Sequence, residues 1–73
     1  MTVLELKRGM SGTVEDIDAD GLLAQRLVDM GLYPGASVTF VRVAPLGDPV
    51  EVEAEGTAIG LRREEARCVK IKL

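Results

Sequence analysis

Residues 25–35, Gln-Arg-Leu-Val-Asp-Met-Gly-Leu-Tyr-Pro-Gly, constrain this chain more than any other stretch. Leu23, Leu27 and Met30 recur at i, i+4 and i+7, so they share one apolar face of a helix that must be covered. Gly31 ends that helix, because glycine takes positive φ without a Cβ penalty and lets Leu32 fold back on the last turn in a Schellman-type cap. Pro34 and Gly35 suit the two central positions of a type II turn. Residues before this stretch bring the helix into place, and residues after it read as sheet.

Thr2 and Glu5 have capping-box spacing for a short turn that Gly9 breaks. Residues 12–17, with Thr13, Val14 and Ile17, read as a first strand whose spacing implies a bend or bulge. Asp20 is the natural N-cap of the helix. Residues 38–44 carry β-branched side chains on both faces, the mark of a central or strongly bent strand. Pro45 and Pro49 bracket a rigid loop with Leu46, Gly47 and Asp48 at its apex. Val50, Val52 and Ala54 then alternate with Glu51, Glu53 and Glu55, a half-buried strand with an acidic outer face. Glu55-Gly56 is a two-residue hairpin connection. Thr57, Ile59 and Leu61 are expected to face inward, residues 63–66 to make one helical turn, and Val69, Ile71 and Leu73 to point inward from a last strand. Cys68, Lys70 and Lys72 then point out. The pattern is mostly β: five short strands with one inserted helix, a small closed barrel forming a single domain over residues 1–73.

Hydrophobic residues make up 47% of the chain, with one Phe and one Tyr, so the core must be built from Val, Leu, Ile and Ala. Nine basic against twelve acidic residues give a net charge of −3, which opposes a phosphate backbone, and no aromatic ladder accompanies the scattered basic pairs. Nucleic acid is therefore not an expected partner. One cysteine permits no internal disulfide. No apolar run reaches the roughly 20 residues that span a bilayer. Glu5, Lys7 and Arg8 interrupt any signal-peptide core, so a cytoplasmic location is expected, with the membrane reached only through a partner.

Little here supports chemistry. Asp16, Asp18, Asp20 and Gly21 match the opening of an EF-hand loop, but position 12 is Leu27 rather than Glu. Glu51, Glu53 and Glu55 stand nearly 7 Å apart along a strand and have no histidine beside them, so neither a metal nor a cofactor is expected there. Without histidine, Cys68 has no base, and Ser11 and Ser37 have no triad. Gly9-x-x-Gly12 and Gly31-x-x-x-Gly35 lack the features of a phosphate loop and read as turn formers. The chain is not expected to be an enzyme. The helix carries more apolar surface than one stripe requires. Leu22, Val28, Leu32 and Tyr33, with Leu46 at the loop tip, form the candidate partner-binding surface, and tyrosine suits such a role. A homo-oligomer through an exposed edge strand is compatible with the pattern.

Three blocks carry a resemblance. Arg26, Leu27, Met30, Gly31, Leu32, Pro34 and Gly35 form the first; Pro45, Leu46, Gly47, Asp48 and Pro49 lie in the second; residues 58–62 and 64–66, Ala-Ile-Gly-Leu-Arg and Glu-Glu-Ala, form the third. In this order they resemble the FeoA family, small cytoplasmic accessory proteins of bacterial ferrous iron transport. The resemblance implies an SH3-like barrel that docks on the cytoplasmic G-protein portion of a FeoB-type ferrous iron transporter and modulates it. An alternative is a metal-responsive regulator acting in trans, since similar barrels form the C-terminal domain of iron-dependent repressors.

Overall fold

The computed structural model describes residues 1–73. A 3-10 turn at Val3–Glu5 leads into β1 (Ser11–Ile17), α1 (Gly21–Asp29), β2 (Ser37–Val43), β3 (Val50–Ala54), β4 (Thr57–Leu61), α2 (Arg63–Ala66) and β5 (Val69–Lys72). The strands form one antiparallel sheet in the order β4-β3-β2-β1-β5. β2 is both central and bent: its register with β3 shifts between Phe40 and Arg42. β1 carries the expected irregularity, a shift against β5 between Val14 and Asp16. Such bulges raise the local twist and let five short strands curl around a core.

That core is aliphatic apart from Phe40, with Val3, Val14, Leu27, Val38, Val50, Val52, Leu61 and Val69 wholly buried. α1 lays Leu27 into it, and Leu23 and Met30 pack at its margin. Gly31 has φ +98°, its amide donates to Val28 O at 3.0 Å, and Leu32 N donates to Leu27 O at 3.0 Å, the paired bonds of a Schellman cap. Ala36 N donates to Tyr33 O across Pro34 and Gly35, and Gly35 has φ +94°, as a type II turn requires. Glu55 and Gly56 have φ +50° and +84°, the two positive values of a type I′ hairpin.

The mostly β, five-stranded architecture with one inserted helix is the one expected, and β4 and β5 are the two edges of its sheet. β4 and β5 do not hydrogen-bond to each other; α2 bridges them in sequence. The outer edge of β5 is covered by the first residues, through a bridge between Thr2 and Lys70 and a bond from Ile71 N to Met1 O at 2.8 Å. β4 has no such cover.

Some local expectations need correction. Leu73 is 68% exposed, because β5 ends at Lys72, whose partner is Thr13, and Leu73 lies beyond the last pair of the ladder. Thr57 is exposed where β4 leaves the hairpin turn. Cys68 precedes β5 rather than pointing out from it: half-buried against the core, it donates its thiol to Glu64 O at 3.3 Å. Asp20 occupies the N-cap of α1, yet its side chain makes no capping bond. Gly12, read as a turn former, lies inside β1, where a Cβ would collide with Ile71 Cγ2.

Candidate docking surface

The three sequence blocks meet in space. Glu65 is the one charged residue of the buried set, 5% exposed. Its Oε1 accepts from Arg62 N at 2.8 Å, so a carboxylate at the third position of α2 satisfies an amide that the helix start leaves free. Its Oε2 meets Arg26 Nη1 of α1 at 2.7 Å. From Arg62 the network continues outward: Arg62 Nη1 bonds Asp48 Oδ2 at 3.1 Å, and this bond raises the arginine pKa further. Asp48 Oδ1 accepts from Arg63 N at 3.0 Å, and Arg63 Nη1 donates to Gly47 O at 3.2 Å. The loop between Pro45 and Pro49, closed by a bond from Ala44 N to Pro49 O, is thereby tied to α2, and α2 to α1.

Two exposed leucines neighbour residues of this network along the chain, Leu22 on α1 and Leu46 beside Gly47. Leu22 lies one turn before Arg26, on the same side of α1, and is 90% exposed; Leu46, at the tip of the tied loop, is 97% exposed. The other expected docking residues lie elsewhere. Leu32 belongs to the core and has no exposed surface, because the Schellman cap folds it inward. Val28 is partly exposed but stands about 120° from Leu22 around the helix, on its opposite flank. Tyr33, also partly exposed, donates its hydroxyl to Glu55 Oε1 at 3.0 Å, which directs it to the β3–β4 turn. The five residues therefore do not form one patch.

The acidic strand is also taken apart by its surroundings. Arg42 Nε and Nη2 bond Glu51 Oε1 and Oε2 at 2.9 and 3.3 Å. This fork holds the Glu51 carboxyl below the usual glutamate value. Glu55 is held by Tyr33, and no group of three or more His, Cys, Asp or Glu side chains is arranged to hold a metal. A shallow groove of about 290 Å³ runs here, lined by Glu51 and Val52 of this strand together with Val41, Pro49, Ala58, Ile59 and Gly60. Sequence reasoning missed Glu65 and the Asp48–Arg62 tie. The signal for the first was the spacing from Arg62 to Glu65, obscured because arginine is not a usual capping residue.

Residues 1–73 match the FeoA domain family. A fusion of Fe(2+) transport protein A with the Fe(2+) transporter FeoB from Porphyromonas gingivalis is 32% identical over the whole of this chain, which spans 9% of the fusion's length. The solution structure of iron(II) transport protein A from Clostridium thermocellum is 33% identical with a TM-score of 0.94 and covers all of this chain, which spans 45% of that one. FeoA of Stenotrophomonas maltophilia in complex with zinc, described as a prokaryotic SH3 domain protein, is 33% identical with a TM-score of 0.85, over 99% of this chain and 89% of that one. A manganese-dependent transcriptional repressor shares the fold, at 16% identity and a TM-score of 0.86 over 99% of this chain and 35% of that one.

Proposed function

This chain belongs to the FeoA domain family of ferrous iron transport, and on that premise we propose that it docks, without catalysis of its own, on the cytoplasmic portion of a FeoB-type transporter and modulates it. The Porphyromonas gingivalis relative supports this reading, since a shared chain keeps the two modules at high effective concentration. The observation that carries it is the almost full exposure of Leu22 and Leu46, on the helix and the loop that the Arg26–Glu65 and Arg62–Asp48 contacts tie to α2. Apolar anchors on a pre-ordered surface lose little entropy on binding. No helix is long and apolar enough to cross a membrane, so in this reading the transporter brings the domain to the inner membrane.

The test is an amide chemical-shift titration of the labelled protein with the soluble G-protein domain of a FeoB-type transporter, repeated with ferrous ion alone. Shifts are expected around Leu22 and Leu46 with the domain, and L22S/L46S together should weaken binding about tenfold or more. No shift with the domain, but shifts with ferrous ion at Glu51, Glu53 or residues 16–20, would overturn docking in favour of a metal-responsive regulator acting in trans.

A further inference from the structure

We propose, resting on the docking of this domain to a FeoB-type transporter, that Arg63 sets the specificity of that surface. Its guanidinium receives a carboxylate at the rim of the apolar pocket, on the transporter's G-protein portion, that takes Leu46. The turn that carries Leu46 is fixed from within. Gly47 N donates to Ala44 O at 2.8 Å, with Pro45 and Leu46 at the two corners, and Ala44 N donates to Pro49 O at 3.0 Å to close the loop behind them. Proline at the first corner pre-sets the φ that the turn needs. Leu46, almost fully exposed, therefore stands on a tip with little freedom to lose on binding.

Arg63 reaches the same turn. Its Nη1 donates to the oxygen of Gly47, the residue after Leu46, at 3.2 Å, and its backbone N–H is held by Asp48 Oδ1 at 3.0 Å. A neutral carbonyl thus engages one of its guanidinium donors, and no bond within the chain uses Nε or Nη2. That edge grips carboxylates in parallel bonds, as Arg42 does with Glu51 at 2.9 and 3.3 Å. Arg26, Arg42 and Arg62 each hold a carboxylate of this chain, and Arg63 holds none. Arg8 and Arg67 are unpaired too, but no hydrogen bond orients either side chain. Asp48, the acid of the loop, has its two oxygens engaged by Arg62 Nη1 and the Arg63 amide. Glu64 follows Arg63 on α2, where adjacent residues do not face each other. Charge complementarity then gives the partner's chemistry. An oriented cation with an open fork at the root of an apolar anchor fits a pocket of apolar side chains with an Asp or Glu at its edge, and a basic residue there would be rejected by like charge.

Calorimetric titration of this protein with the soluble G-protein domain of a FeoB-type transporter, at about 50 and 300 mM salt, tests this. Wild-type affinity is expected to fall several-fold as salt rises. L46S removes only apolar contact, so it should bind about tenfold more weakly and keep that salt dependence. R63Q should bind about tenfold more weakly at low salt with its salt dependence flattened. R63K keeps the charge without the fork and should retain only part of the affinity. Both Arg63 variants alter an exposed side chain and should melt within a few degrees of the wild type by circular dichroism. Wild-type binding with R63Q or R63K unimpaired, or with R63Q impaired but its salt dependence intact, would overturn the role of Arg63 and leave docking through Leu46 standing. No binding by the wild type would overturn both.

Discussion

Gly31 turns the chain at φ +98°, where the Schellman bonds need the left-handed region and any Cβ meets a penalty. A Cβ placed there would find Ala54 Cβ at 3.8 Å, ordinary contact, so the demand is conformational rather than steric. G31V should therefore destabilise the protein by about 1–3 kcal/mol, a β-branched residue being the least tolerant of that region. Thermal melting followed by circular dichroism checks it, and an unchanged melting temperature would disprove the cap. Gly12 is the converse case: its φ is ordinary, and what it supplies is room for Ile71. The first role could be read from the sequence because a cap is local. The second could not, since Ile71 reaches Gly12 only through the pairing of β1 with β5.

At the scale of elements, the chain after α1 is held to the β3–β4 hairpin by the bond between the Tyr33 hydroxyl and Glu55 Oε1. Accepting that proton's bond, and repelling a phenolate with its own charge, Glu55 raises the tyrosine pKa above its ordinary value of 10.0. A raised folded-state pKa means that the contact's contribution is fully present below the unfolded tyrosine value and is lost as pH rises through the folded one. Phenolate absorbance against pH should show Tyr33 ionising late, and E55Q should move that transition down toward the ordinary value. The mirror case joins β2 to β3. Arg42 lowers the Glu51 pKa, so that contact contributes above the unfolded glutamate value and is lost as pH falls through the lowered one. Helix, strands and turns were legible because period, proline and glycine act over a few residues. Which side chains tie one element to the next was not, and so the sequence marks Tyr33 as a docking residue only.

Across the whole molecule, Glu65 joins three separated blocks of sequence through Arg26 and, by way of Arg62, Asp48. Its burial is what makes the join consequential, because a carboxylate removed from water and then stripped of its partner carries a desolvation cost. The guanidinium of Arg26 is 60% exposed, so solvent moderates the effect, and R26A should cost about 1–2 kcal/mol rather than the larger loss of a wholly buried pair. Urea denaturation measures it, with R26A/E65L expected to recover part of the loss if the unpaired charge is its source. Five strands, one helix, the cap and both tight turns were determined by the sequence alone, because each depends on neighbours within a turn or a hairpin, and the family was legible from three blocks in their order along the chain. Only the tertiary structure decided that Leu32 is core, that Leu22 and Val28 face apart, that Glu65 is buried, and that β4 rather than β5 keeps a free edge. Those outcomes depend on which distant segments arrive at the same place, and no local pattern of residues encodes that arrival.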